Sequence, residues 1–102
     1  MGIRSVFVET LSYVDKTYGN SYFATQLHIN GELVAALPFR YGYERMDEHE
    51  ALQLLKQLGH VPADSRTIYH AAEAIGFDYY RTKNYANKAI VKQHGEPTTL
   101  NK

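Results

Sequence analysis

Side chains that could do chemistry are present in this sequence, but their spacing forms no recognisable catalytic or metal-binding motif. The chain has no cysteine, which excludes thiolate ligands, disulfides and thiol nucleophiles. No two of the five histidines are four residues apart, and no phosphate-binding glycine loop, nucleophile elbow or dinucleotide fingerprint occurs. We therefore predict a protein that is not an enzyme and that holds no metal or other cofactor.

Acidic residues are concentrated in the segment Asp47-Glu48-His49-Glu50. Asp47 and Glu50 have the spacing of a capping box, in which side chains at the start of a helix bond to free backbone N–H groups. Carboxylates are also favoured there by the helix dipole. The segment predicts the beginning of a helix better than it predicts an active site.

Tyrosine is the residue type that points most clearly to a function. The chain has nine Tyr and four Phe but no Trp among its 102 residues. Tyrosine combines an apolar ring with a polar tip at a low cost in conformational entropy, so it is enriched in surfaces that bind other macromolecules. We predict that two groups of residues contact a partner: Lys16 and Tyr18 in a first turn, and a basic aromatic cluster of Tyr79, Tyr80, Arg81, Lys83, Tyr85 and Lys88.

The chemical class of that partner stays open at this point. Interleaved rings and cations can stack on bases and follow phosphates. Tyrosine and arginine are equally typical of hot spots between proteins. The sequence therefore allows a protein or a nucleic acid at residues 79–88.

Composition describes one ordinary folded domain. The 102 residues are 44% hydrophobic and 22% charged, and 11 basic residues balance 11 acidic ones, so no overall charge attracts the chain to DNA or to an anionic membrane. No apolar run approaches the roughly 20 residues that span a bilayer. We expect a soluble, cytoplasmic protein with one domain over residues 1–95 and a flexible tail over 96–102.

The first part of the sequence predicts three strands, over 3–14, 22–29 and 33–41. They are rich in β-branched and aromatic residues, and Asn30-Gly31 is typical of a hairpin turn. Apolar residues fall on odd positions in both the second and the third strand. This parity predicts an odd-numbered loop, with Gly31 in the left-handed conformation, and places Tyr41 in the core beside Phe39.

The second part predicts helices. One begins at Asp47 and ends at Gly59, and another begins after Asp64 or Ser65 and ends at Gly76. A strand over 77–82 follows, and residues 84–94 fit either a helix or a strand. The predicted fold is α+β in the order β-β-β-α-α-β-α: an antiparallel sheet of three to four strands with two to three helices packed on one face. The predicted apolar stripes of the first two helices are Ala51, Leu54, Leu55 and Leu58, and Ile68, Ala71, Ala72 and Ile75.

Residues 67–92 allow a second interpretation. An alanine-rich helix followed by Gly76 and then by basic residues is similar to a helix-turn-helix, which would make the protein a small DNA-binding regulator. Tyr79 and Tyr80, however, fit an extended strand where that motif needs its second helix. We therefore predict the binding protein first and the DNA-binding regulator second.

Three segments resemble small accessory proteins of tailed bacteriophages. They are Asp15-Lys16-Thr17-Tyr18-Gly19-Asn20-Ser21-Tyr22, Asn30-Gly31-Glu32-Leu33-Val34 and Pro38-Phe39-Arg40-Tyr41-Gly42-Tyr43. The resemblance implies a protein made in a bacterial host, where it binds and inhibits, or adapts, a host protein or ribonucleoprotein complex, as anti-CRISPR proteins do. It assigns no site residues.

Overall fold

A computed structural model of the chain describes residues 3–42 and 45–96. Within these residues no helix is both long enough and apolar enough to cross a membrane. The predicted α+β class and element order are confirmed. The elements are β1 (Ser5–Asp15), β2 (Asn20–Ile29), β3 (Glu32–Tyr41), α1 (Met46–Gln57), α2 (Ile68–Ile75), β4 (Asp78–Tyr85) and α3 (Lys88–His94).

The four strands form one sheet in the order β3-β2-β1-β4. β1 and β2 are antiparallel, as are β2 and β3, whereas β4 returns through the two helices to lie parallel to β1. A parallel neighbour requires such a crossover, because the chain must first travel back to the starting end of the sheet. The sheet is therefore mixed, with antiparallel pairs in the majority.

One face of the sheet carries the hydrophobic core, and we call it the core face. Alternate residues of a strand point to opposite faces, and Val6, Val8 and Thr10 of β1 are all buried on this one. α1 and α2 pack here, as the apolar pattern of the sequence predicts. The helical members of the core are Ala51, Leu52, Leu55, Ile68 and Ala71.

α3 packs on the opposite face, which we call the α3 face. Gln26 of β2 donates a hydrogen bond of 3.1 Å to the carbonyl of His94, and Nε2 of His94 lies 2.8 Å from the carbonyl of Glu9. Val91 of α3 is fully buried on the side of the helix that faces the sheet. Two helices thus share one face of the sheet, as predicted, and the third packs on the other face.

The β2–β3 hairpin pairs odd-numbered residues as predicted, but its turn differs from the predicted one. Ile29 pairs directly with Glu32, so the turn has the two residues Asn30 and Gly31, with φ of 53° and 83°. This is the geometry of a type I′ turn, and the predicted odd-numbered loop is wrong. A register shift between Leu27 and His28 then adds one residue to β3, so that Leu27 faces Ala35 and the odd positions match after all.

A second register shift, near Pro38, changes the end of β3. Pro38 cannot donate to a ladder, and it lies on an edge strand at this irregularity, as its chemistry predicts. Beyond Pro38, the odd-numbered residues of β3 no longer lie on the core face, so the apolar pattern does not predict their burial. Tyr41 is 53% exposed, so its predicted place in the core is wrong, although its ring meets that of Tyr22 edge-on at 5.8 Å.

The helix ends were predicted in part. Gly59 and Gly76 both adopt positive φ just after α1 and α2, as expected for left-handed C-terminal glycines. The hydroxyl of Thr67, rather than Asp64 or Ser65, caps α2. α3 is a helix, begins after the cap residue Asn87, and leaves residues 84 and 85 to β4. Of the predicted tail, residues 97–102 lie outside the described residues.

The capping box predicted for α1 is wrong. The residue that precedes the helix is Arg45, and its side chain makes no capping hydrogen bond. Asp47 and Glu48 lie inside the first turn and are buried towards the sheet. The apolar stripe of α1 also differs from the predicted one, because Leu52 is buried and Leu58 is exposed.

Candidate functional site

A buried polar network joins the first turn of α1 to the middle of the sheet. Its centre is Asp47, whose residue surface is only 2% exposed. Arg81 of β4 donates two hydrogen bonds of 2.9 Å to the two carboxylate oxygens of Asp47. Because Val8 pairs with Arg81 across the strands, the guanidinium emerges on the core face, directly beneath α1.

Two threonines extend the network across β1 and β2. Thr10 donates its only hydroxyl proton to Asp47 over 2.6 Å. The hydroxyl of Thr25 lies 3.2 Å from that of Thr10, and because the Thr10 proton is committed to Asp47, Thr25 is the donor in this pair. Both threonines are fully buried, and their hydrogen bonds remove the cost of burying polar groups among the apolar side chains of the core face.

Glu48 forms the second branch of the network. The Tyr79 hydroxyl donates a hydrogen bond of 2.5 Å to one carboxylate oxygen, and Arg45 forms an ion pair with the other. Nε of Arg81 lies 3.9 Å from Glu48 as well. Adjacent residues of α1 therefore bind alternate residues of β4, because Tyr79 and Arg81 share one face of the strand.

The network changes the acidity of its members in consistent directions. Burial alone would raise the pKa of Asp47, but hydrogen bonds from Arg81 and Thr10 and the charge of Arg81 outweigh it and hold that pKa below its usual value. Hydrogen bonding to Asp47 raises the pKa of Arg81 against the effect of burial. Burial, reinforced by the hydrogen bond to Glu48, raises the pKa of Tyr79, so its hydroxyl stays protonated and remains a donor.

The effect of the network is to fix β4 against α1. β4 is the last strand of the sheet, and no strand of the described residues pairs along its outer side. Tyr80 is 59% exposed on the α3 face, and Tyr85 is 73% exposed near the end of the strand. On the core face, the exposed ring of Tyr69 meets Tyr79 edge-on at 5.0 Å. Exposed tyrosine rings therefore flank both faces of this edge strand.

The residues predicted to bind a partner fall into three groups. Tyr79 and Arg81 direct their polar ends to α1 and belong to the network. Tyr80, Tyr85 and Lys88 are exposed, whereas Lys83 is half-buried on the core face. The others are Lys16 and Tyr18, which are exposed in the β1–β2 turn.

The β1–β2 turn lies at the same end of the sheet as Tyr85. Tyr85 pairs with Ser12, close to the end of β1 at Asp15. The structure thus brings Tyr85 to the same end as Lys16 and Tyr18, whereas Tyr80 pairs with Phe7 nearer the beginning of β1. Binding at any of these positions stays a prediction.

Sequence reasoning missed Thr10, Asp47 and Glu48 as members of a shared site. Thr10 did carry a signal, because it continues the alternation of the buried residues Val6 and Val8, and a hydroxyl at such a position needs a partner. No local signal identifies Arg81 as the partner of Asp47, since 34 residues separate them in sequence.

The helix-turn-helix interpretation lacks its second helix. Residues that would form it, Asp78–Tyr85, are strand β4. α2 therefore leads into the sheet rather than into a recognition helix. Among residues 3–42 and 45–96, no group of three or more His, Cys, Asp or Glu could hold a metal ion.

Comparison with known proteins supplies no relative for this arrangement. No protein-family model, curated protein or solved structure matches the chain.

Proposed function

We propose that this protein is a non-enzymatic binding protein that docks an extended segment of a partner protein along the outer edge of β4. The observation that carries the proposal is the presence of exposed tyrosine rings on both faces of an edge strand, with Tyr69 on the core face and Tyr80 on the α3 face. A strand added to a sheet edge points alternate side chains to the two faces, so its residues would meet both rings.

Rigidity of the strand supports the same proposal. Binding costs less when the surface is already held in its bound conformation. The Asp47–Arg81 and Glu48–Tyr79 hydrogen bonds tie two core-face side chains of β4 to α1, while Tyr80 and Tyr85 remain exposed. The internal contacts therefore orient the rings that would contact the partner.

Tyr85, Lys88, Lys16 and Tyr18 extend this surface at one end. Tyrosine rings supply contact area, and the two lysines add positive charge that favours acidic residues in the partner segment. We propose further that the partner is a host protein or ribonucleoprotein complex in the cytoplasm, which the binding inhibits or adapts. The support for this finer proposal is the resemblance of residues 15–43 to bacteriophage accessory proteins.

The test is capture of a partner from a bacterial lysate by tagged protein, with nuclease-treated and untreated samples compared. We expect a stoichiometric protein partner in both samples, and a loss of at least about tenfold in its affinity in the double variant Tyr80→Ala/Tyr85→Ala. Val34→Ala, an exposed change on β3 at the opposite edge of the sheet, is the matched control and should bind normally.

Each contrary outcome leads to a different conclusion. Tyr18→Ala shows separately whether the β1–β2 turn takes part in the binding. Equal capture by the double variant and by Val34→Ala would remove β4 as the docking edge. A partner lost on nuclease treatment would favour nucleic-acid binding and overturn the proposal.

A further inference from the structure

A pocket of about 310 Å³ opens between the beginnings of α1 and α2, and its lining shares Tyr69 with the proposed docking surface at β4. We call it the α1–α2 pocket. Leu52 and Ile68 are buried and form its apolar base. Its remaining lining is polar or aromatic: Arg45, Glu48, His49, Arg66, Thr67 and Tyr69.

Hydrogen-bond donors dominate the polar part of this lining. Arg66 is exposed at the pocket, and its guanidinium forms no ion pair within residues 3–42 and 45–96. Arg45 contributes a second guanidinium. The Thr67 hydroxyl oxygen accepts from the backbone N–H of His70, which leaves its own proton to donate.

Glu48 is the one carboxylate among the described residues that line the pocket, and both of its oxygens already have a partner. One oxygen accepts from Tyr79 and the other pairs with Arg45. Two guanidinium groups against one carboxylate leave an excess of one positive charge at the lining. A cationic ligand would have to compete with Arg45 and Tyr79 for Glu48, whereas an anion finds several donors.

We propose that the α1–α2 pocket binds a compact aromatic anion, with a carboxylate or a phosphate monoester at Arg66 and a ring over Leu52 and Ile68. The volume is at the lower end of that of small-molecule sites, which limits the ligand to about one ring and its charged group. The exposed ring of Tyr69 supplies an aromatic wall against which a ligand ring can stack.

The test is an NMR titration of the full chain, following backbone amide shifts, with benzoate and phenyl phosphate as probes. We expect saturable shifts centred on residues 45–52 and 66–69. Phenol and inorganic phosphate, which carry the ring or the charge alone, should bind at least about tenfold more weakly. Benzoate against phenyl phosphate shows which acidic group the pocket prefers.

Arg66→Gln is the decisive variant, because it removes a charge from an exposed side chain without touching the core. We expect about tenfold weaker binding of the better probe, as for the loss of a charge-assisted hydrogen bond. Arg4→Gln is the matched control, since Arg4 is equally an exposed arginine and does not line the pocket. Its affinity should equal that of the unchanged protein.

Three results would overturn the assignment: no saturable shifts with either probe, equal affinity in Arg66→Gln and Arg4→Gln, or inorganic phosphate binding as tightly as phenyl phosphate. The protein-docking proposal is tested independently. Tyr80→Ala/Tyr85→Ala leaves the pocket lining intact, so that variant should still bind the probe even if it no longer binds the partner.

Discussion

Arg81 of β4 and Asp47 of α1 are joined by two parallel hydrogen bonds of 2.9 Å, across 34 residues of sequence. The carboxylate is buried, and only about a fifth of the arginine side chain is exposed, at 21%. Paired charges of this kind add modestly to stability, but an unpaired one left behind is costly. The pair therefore makes the position of the edge strand depend on the first turn of a helix.

Replacing Asp47 with asparagine should lower the free energy of unfolding by about 3 kcal/mol, because the largely buried Arg81 charge then loses its nearest counter-charge. Urea unfolding followed by circular dichroism measures the loss. Asp64→Asn is the control, since Asp64 is exposed, and it should change stability by less than about 0.5 kcal/mol. Equal effects of the two changes would show that the pair does not hold β4 to α1.

Stability should also fall in acid because of Asp47. Its pKa in the folded protein lies below the ordinary value of 3.8, so the unfolded chain binds the proton more readily. The contribution of Asp47 is then fully present above about pH 4 and is lost as the pH falls through the folded pKa. Urea midpoints between about pH 3 and pH 6 should drop more steeply in the unchanged protein than in Asp47→Asn. Parallel curves would contradict this assignment.

The contrast between Gly59 and Asp47 shows which parts of the structure the sequence could predict. A glycine after an apolar helical stripe ends a helix through local geometry alone, and Gly59 and Gly76 do so. Asp47 has the local spacing of a cap as well, but the stronger bonds come from Arg81 and Thr10, which only the fold brings near. Rules based on local sequence could not show that Asp47 bonds to Arg81 and Thr10 instead of capping the helix.

Strand register shows the same division. The apolar pattern predicts that odd-numbered residues of β2 and β3 pair, and Leu27 does pair with Ala35 in the sheet. The position of the extra residue could not be predicted, because an odd-numbered loop and a β-bulge in the strand are alternative ways to gain one residue. At Pro38 a second shift reverses the parity, and Tyr41 becomes exposed.

Tyr79→Phe should destabilise the protein by about 1–2 kcal/mol. The change keeps the ring but removes the hydroxyl that donates to Glu48, so a largely buried carboxylate oxygen loses its partner. Tyr80→Phe is the matched control on the next residue, where the side chain is exposed on the α3 face. Thermal unfolding of the two variants compares them directly, and a cost confined to Tyr80→Phe would refute the role given to Tyr79.

Gly95→Ala should loosen α3 from the sheet. A Cβ at this position would lie 2.8 Å from the carbonyl oxygen of Leu37, 2.9 Å from Cβ of Ala24 and 2.9 Å from the backbone nitrogen of Phe39. Backbone atoms of a strand cannot rotate aside, so the helix must move. Its φ of −88° suits alanine, and the expected cost of about 1–3 kcal/mol is therefore one of overpacking rather than of backbone strain.

Hydrogen exchange distinguishes this loosening from general destabilisation. In Gly95→Ala, protection should fall most at Val91, the buried residue of α3, and much less at Leu55 in the core of the opposite face. Glu96→Ala, an exposed change at the next residue, should leave both amides protected. If the two amides lose protection equally in Gly95→Ala, α3 is not an independently attached element, because local opening would then carry the same free energy as global unfolding.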